Sequence, residues 1–244
     1  MKGNGRYPDK ILERSIDPAT HAMLAQADQL GISTAWDRFE AMQPQCGFGQ
    51  LGLCCRHCNM GPCRISPFEE EGPKQGVCGA TADIIVARGL LRMIAAGAAA
   101  HSDHGRDIAH TLLLTAQGKA GGYEIKDEAK LKALACEYGI ETEDRPKEEI
   151  ALDLAHAAYA EFGKQEGPIL FTRRAPEKRV ALWQQLGIDP RGVDREIVEA
   201  MHRTHVGVDN DAVNLILHGL RTSISDGWGG SMIATEFSDV LFGT

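Results

Sequence analysis

Hydrophobic residues recur along this chain at helical rather than strand spacing. Met23, Leu24, Ala27 and Leu30 form a stripe behind Asp17-Pro18, an N-cap followed by proline at the first helical position, and Gly31 stops it. Thr34 opens a second helix carrying Trp36, Phe39 and Met42, closed by Pro44. Thr81 opens the most apolar run, ADIIVARGLLRMIAAGAAA. Its helix is expected from Ala82 to about Ala96, central and buried. Small residues at 97–100 should separate it from another helix over about Ser102–Gln117. Arg88 and Arg92 interrupt the run, which argues against a membrane span.

Further helices are expected over Asp127–Tyr138, Pro146–Phe162, Glu177–Leu186, Asp194–Thr204, Asp211–Asp226 and SMIATEFSDVLF, with Gly227, Gly229 and Gly230 breaking the last two apart. Ile150, Leu154, Ala157, Ala158 and Phe162 define one packing face. Residues 1–15 read as a polar arm and 163–176 as a linker-like loop. No segment alternates at strand length, and no repeat is evident. The pattern predicts a mostly α fold, one helical domain over 1–244. It divides into N-terminal helices at 1–45, cysteine-rich loops at 46–79 and a helical remainder at 80–244.

Composition narrows the function. The chain is 43% hydrophobic and 25% charged, ordinary for a globular protein. Its net charge of −8 disfavours generic nucleic-acid binding. Seven cysteines behind a start without an apolar leader point to metal in a reducing, cytoplasmic compartment.

Six of those cysteines fall in one stretch, 46–78. Cys55, Cys58, Cys63 and Cys78 form C-x2-C-x4-C-x14-C, four thiolates that satisfy a [4Fe–4S] cluster or a tetrahedral zinc. Cys46 and Cys54 remain, and a two-fold dimer could pool two such pairs into a shared cluster. The vicinal Cys54 and Cys55 would then diverge toward different centres. Glycines at 47, 49, 52 and 61 and the cations Arg56, Arg64 and Lys74 favour iron–sulfur, while zinc and disulfides stay open. Cys136 stands apart and reads as a small, buried or half-buried thiol rather than a ligand.

The run CGFGQLGLCCRHCNMGPCR, followed by GVCGA, resembles the N-terminal cluster segment of the anaerobic nickel-containing carbon monoxide dehydrogenases. Similar stretches continue through AAAHSDHGRDIAH at 98–110 and ATEFSDVLFGT at 234–244. The resemblance implies a B-type [4Fe–4S] cluster on Cys55, Cys58, Cys63 and Cys78. It also implies a D-type cluster, [4Fe–4S] or [2Fe–2S], shared across a homodimer by Cys46 and Cys54. Family members oxidise CO with water to CO2, two electrons and two protons at a nickel–iron–sulfur C-cluster held by domains that follow this region. Only Cys136 remains after Cys78, so the chain is expected to be the N-terminal electron-transfer part of a longer enzyme and inactive on CO alone. A ferredoxin-like acceptor and an acetyl-CoA synthase subunit are the implied partners.

The resemblance further implies that His101, His104 and His110 relay protons, with Asp107 departing from an all-histidine row. An ideal helix puts His101 and His110 about half a turn apart in angle and roughly 13–14 Å apart in rise. The residues alone read as surface or core histidines. Two other readings remain from the residues: a self-contained iron–sulfur electron-transfer or sensing protein, and a zinc-stapled helical interaction domain.

Overall fold

The computed structural model describes the backbone of residues 8–243 and the side chains of residues 11–243. Its residues fall into two compact units, 1–50 and 51–244. The fold is mostly α, as the periodicity predicts.

In the first unit, α1 (Pro8–Arg14) replaces part of the expected polar arm, whose residues 1–7 lie outside the described residues. α2 (Pro18–Gln29) starts where Asp17 accepts hydrogen bonds from the backbone N–H of Ala19 and Thr20. α3 (Ala35–Ala41) begins with a capping box between Thr34 and Asp37. α4 (Gly47–Gln50) is one turn. Arg14 pairs with Glu40 at 2.7 Å and lies over the Trp36 ring. The α2 stripe is not buried: Met23 and Leu30 are both exposed. Periodicity located the face, but only Leu24 and Ala27 of it are partly covered among the described residues.

The second unit opens with a short antiparallel pair, β1 (Cys54–Cys55) and β2 (Cys63–Arg64), where the sequence predicts no strand. Two residues per strand are too few for alternation to register. The helices follow: α5 (Ala82–Ala116), α6 (Glu128–Glu137), α7 (Lys147–Gly163), α8 (Glu177–Leu186), α9 (Val193–Arg203), α10 (Ala212–Ser225) and α11 (Ser231–Phe242). A 3-10 turn at Leu170–Arg174 occupies part of the expected 163–176 loop. α9 is capped by Gly192, not Asp194, whose carboxylate instead accepts from Ser102 Oγ at 2.7 Å and from Arg106.

α5 is one continuous rod of 35 residues, not the two helices expected. A lone glycine costs a helix only about 1 kcal/mol, and the alanines around Gly97 are the best helix formers. Its length and apolar character would allow it to cross a membrane. Here it packs instead against α7, α9, α10 and α11. Its first half, with Ile84, Ile85, Leu91 and Ala95, joins Cys55, Ile65, Ala200 and Leu215 in one apolar core. Its second half, with Ala109 and Leu112, joins Leu134, Ile150, Leu154, Phe162 and Phe237 in a larger one.

Gly227, Gly229 and Gly230 do not break the chain. They sit in a π-helical turn, Asp226–Gly230, that runs α10 directly into α11. Glycine is needed there for close approach. A Cβ on Gly105 of α5 would lie 2.6 Å from the Gly230 carbonyl oxygen, and one on Gly230 would lie 2.9 Å from Ser102 N. Gly105→Ala is expected to cost about 1–3 kcal/mol through overpacking. At about 2–4 °C per kcal/mol, that is a fall in melting temperature of several degrees, read by thermal unfolding. An unchanged melting temperature would remove the close-approach argument. Trp228, between the glycines, is half-buried and meets Trp183 edge-on at 6.1 Å.

Candidate metal centre

The β1–β2 pair brings the first thiols together. Cys55 faces Cys63 directly across it. Successive strand residues point to opposite faces, so Cys55 is buried while its neighbour Cys54 is exposed. The turn between the strands closes tightly: a Cβ on Gly61 would lie 3.0 Å from the Cys55 carbonyl oxygen and 3.2 Å from Cys63 N. Cys78 arrives on the loop before α5. There Gly76 lets the backbone press against Cys63, where a side chain would meet Cβ at 3.2 Å and Sγ at 3.3 Å. Val77 N–H donates to Cys63 Sγ at 3.5 Å. Cys55, Cys58, Cys63 and Cys78 thereby line one cavity, whose other walls include His57, Ile85, Arg88 and Thr204.

Four thiols lining one cavity match the donor sets of two kinds of centre. A tetrahedral zinc with Zn–S bonds of about 2.3 Å draws its four sulfurs to within roughly 3.8 Å of one another. In an iron–sulfur cluster each sulfur binds a different iron, so four thiols lining one cavity also suit that donor set. The residues also fit its charge. Leu53 and Ile65 are buried beside the strands, and N–H groups point at sulfur. No disulfide links the described cysteines.

The cation at this cavity is Arg88 of α5, only 1% exposed. Its Nη1 donates to Cys78 Sγ at 3.3 Å, and its Nη2 donates to the Asp209 carbonyl at 2.6 Å and to Asn210 Oδ1 at 2.7 Å. Burial pushes the Cys78 thiol up. Hydrogen bonds from Arg88 and from the Ala80 and Gly207 backbone outweigh it and hold the thiol below its ordinary range. Burial and the charges of Arg92 and Arg88 lower the pKa of His57. The sequence reading singled out Arg56, Arg64 and Lys74 instead. All three are exposed, and Lys74 donates to the Glu69 carbonyl. Arg88 had a signal: a guanidinium inside an apolar run must find acceptors when buried.

Cys46 and Cys54 are both exposed, Cys46 in the first unit and Cys54 in the second. Cys136 is exposed on α6 rather than buried or half-buried, its Sγ 3.9 Å from Thr142 Oγ1.

His101, His104 and His110 are all exposed on α5, as is Asp107. His101 Nδ1 lies 2.7 Å from Asp226 Oδ1, in the π-helical turn. A carboxylate accepts, so Nδ1–H donates and Nε2 is left as the ring's other site. Asp226, read from sequence only as a helix end, is thus the partner of His101. His101 and His104 share a surface hollow with Ser231, Thr235 and Asp239, and His110 lies outside it. His202 and His205 are exposed; His202 lies in the last turn of α9, where imidazolium suits the helix dipole.

Residues 53–244 match the Prismane/CO dehydrogenase family. Carbon monoxide dehydrogenase 1 of Methanosarcina acetivorans is 69% identical over 232 residues, covering 95% of this chain and 37% of that protein. Carbon monoxide dehydrogenase 2 of Carboxydothermus hydrogenoformans is 53% identical over a similar span, 36% of its length. A nickel-free crystal structure of carbon monoxide dehydrogenase from Thermococcus sp. AM4 superposes with a TM-score of 0.87 at 52% identity, covering all of this chain and 39% of that one. The chain therefore spans little more than a third of the length of these relatives.

Proposed function

The chain belongs to the Prismane/CO dehydrogenase family, and on that premise we propose that it is the electron-transfer portion of an anaerobic nickel–iron–sulfur carbon monoxide dehydrogenase. The reaction of the whole enzyme is CO + H2O to CO2, two electrons and two protons. Cys55, Cys58, Cys63 and Cys78 hold a B-type [4Fe–4S] cluster, and Cys46 and Cys54 supply half of a D-type cluster completed by a second copy. When bound, these groups supply one-electron transfer.

The protein's own residues do the rest. The thiolates fix position, the Arg88 guanidinium and Val77 N–H offset negative charge on sulfur, and Leu53 and Ile65 keep water away. The observation that carries this reading is the split at the vicinal pair, with Cys55 turned into the four-thiol cavity and Cys54 turned outward. His101, His104 and His110 move protons, His101 oriented by Asp226. Beyond the six thiols only Cys136 is left, on α6, so the nickel site draws its ligands from outside these residues. The partners are a second copy and a ferredoxin-like acceptor, in a reducing cytoplasm. The likeness to the carbon monoxide dehydrogenase/acetyl-CoA synthase subunit beta of Moorella thermoacetica, 43% identical, adds an acetyl-CoA synthase subunit to that set.

The test is the iron content of the anaerobically purified full-length protein. Replacing Cys46 and Cys54 together with Ala is expected to remove the one cluster that a dimer shares and to spare the B-type cluster in each subunit. A double variant with unaltered iron would overturn the shared-cluster assignment.

A further inference from the structure

Arg88 is a buried cation with no carboxylate paired to it among the described residues. Its acceptors other than Cys78 Sγ are a backbone carbonyl and a side-chain amide oxygen, both neutral. The carboxylate of one acceptor residue is turned elsewhere: Asp209 gives Arg88 its carbonyl, while its side chain lies 3.6 Å from Arg203 and accepts from Asp211 N–H. Arg92, one turn further along α5, spends its Nε on Thr204 Oγ1 at 2.8 Å. The loop after α9 thus receives both arginines through uncharged groups. A full positive charge is left at the Cys78 corner of the cavity, where low exposure prevents water from screening it.

We propose that Arg88 is a potential-setting residue. Acting through Cys78, its charge and its hydrogen bond to sulfur raise the reduction potential of the cluster held by the four thiolates. The inference rests on the four-thiol assignment above. Reduction adds negative charge to a cluster, so a fixed cation 3.3 Å from one ligand sulfur favours the reduced state, and an N–H donor to that sulfur acts in the same direction. Asn210 is part of the device. An aspartate at that position would neutralise the guanidinium without moving it.

The test is a redox titration of the full-length protein followed by the EPR signal of the reduced cluster, with iron counted in each sample. Arg88→Met is expected to keep its iron and to shift the midpoint of this cluster to lower potential, with Arg88→Lys recovering part of the shift. Asn210→Asp is expected to shift it the same way with the arginine still in place. Arg88→Met with full iron and an unmoved midpoint would overturn the proposal. If Arg88→Met loses iron through misfolding, Asn210→Asp decides: a lower midpoint supports the proposal and an unmoved one overturns it. The four-thiol assignment fails by a separate result, namely unaltered iron in a variant lacking one of the four cysteines.

Discussion

Cys63→Ala is expected to strip the protein of all the iron held by the four-thiol cavity and of the broad absorbance near roughly 400 nm that accompanies it. Cys63 sits at the centre of the arrangement. It faces Cys55 across the strand pair, touches Gly76 and accepts the Val77 N–H. Removing it takes a corner from the cage and the Val77 N–H bond that ties the Cys78 loop to the strands. The consequence reaches the fold. Cys55 packs in the same apolar core as Ile85, Leu91 and Leu215, with Cys63 and Cys78 against it. Losing the cluster should therefore loosen residues 53–80 and expose them to limited proteolysis, because a metal centre built into a loop contributes its binding energy to folding. Cys136→Ala is the control, since its thiol is exposed on α6 and remote from the cage in sequence. It should leave iron and colour unchanged. A Cys63→Ala protein with wild-type iron would sink the cavity as a cofactor site.

Glu196→Ala is expected to cost about 3–5 kcal/mol of stability, the usual penalty for removing one partner from a buried charge network. Glu196 is completely buried at the start of α9. Its Oε1 accepts from Arg191 N at 2.9 Å and from Arg191 Nε at 3.0 Å, and its Oε2 accepts from Arg191 Nη2 at 2.9 Å. His218 and Arg221 of α10 approach the same oxygen at 3.5 and 3.6 Å. One carboxylate therefore ties the loop before α9 to α10, and its loss leaves the buried His218 facing no anion at that position.

The same group makes a pH prediction. Burial alone would raise the Glu196 carboxyl, but the close approach of His218 and the hydrogen bonds from Arg191 outweigh it and hold the pKa at about 2 against an ordinary 4.5. A carboxyl depressed by folding stabilises the native state fully above its unfolded pKa. That stabilisation is lost as pH falls from about 4.5 toward 2. Melting temperature measured against pH should fall more steeply in acid for the native protein than for Glu196→Gln. Parallel acid limbs would show that the depressed carboxyl contributes nothing.

Much of the helical framework was legible because its signals are local. Asp17, Thr34, Asp127 and Asp211 each cap the helix that their positions in the sequence predict. The apolar spacing of Leu131 and Leu134, and of Ile150, Leu154 and Phe162, marks residues that are buried. Local signals also misled. Glycine reads as a breaker, yet Gly97 lies inside a continuous α5, and Gly229 and Gly230 sit in a π-helical turn that lets two elements touch. Whether a glycine ends a helix or admits a neighbour depends on what packs there. An apolar stripe likewise states which face seeks cover, and α2 has that stripe without burial among the described residues.

The cysteine spacing by itself kept Cys55, Cys58, Cys63 and Cys78 close enough to line one cavity, because residues close in sequence are held near one another by the few turns between them. Tertiary structure decided what surrounds them. Arg88 meets its loop acceptors 121 and 122 residues away, His101 meets Asp226 across 125, and Glu196 finds His218 on another helix. Charged and hydrogen-bonding groups act over a few ångströms, so their partners exist only once packing has brought distant segments together, and no local pattern encodes that proximity.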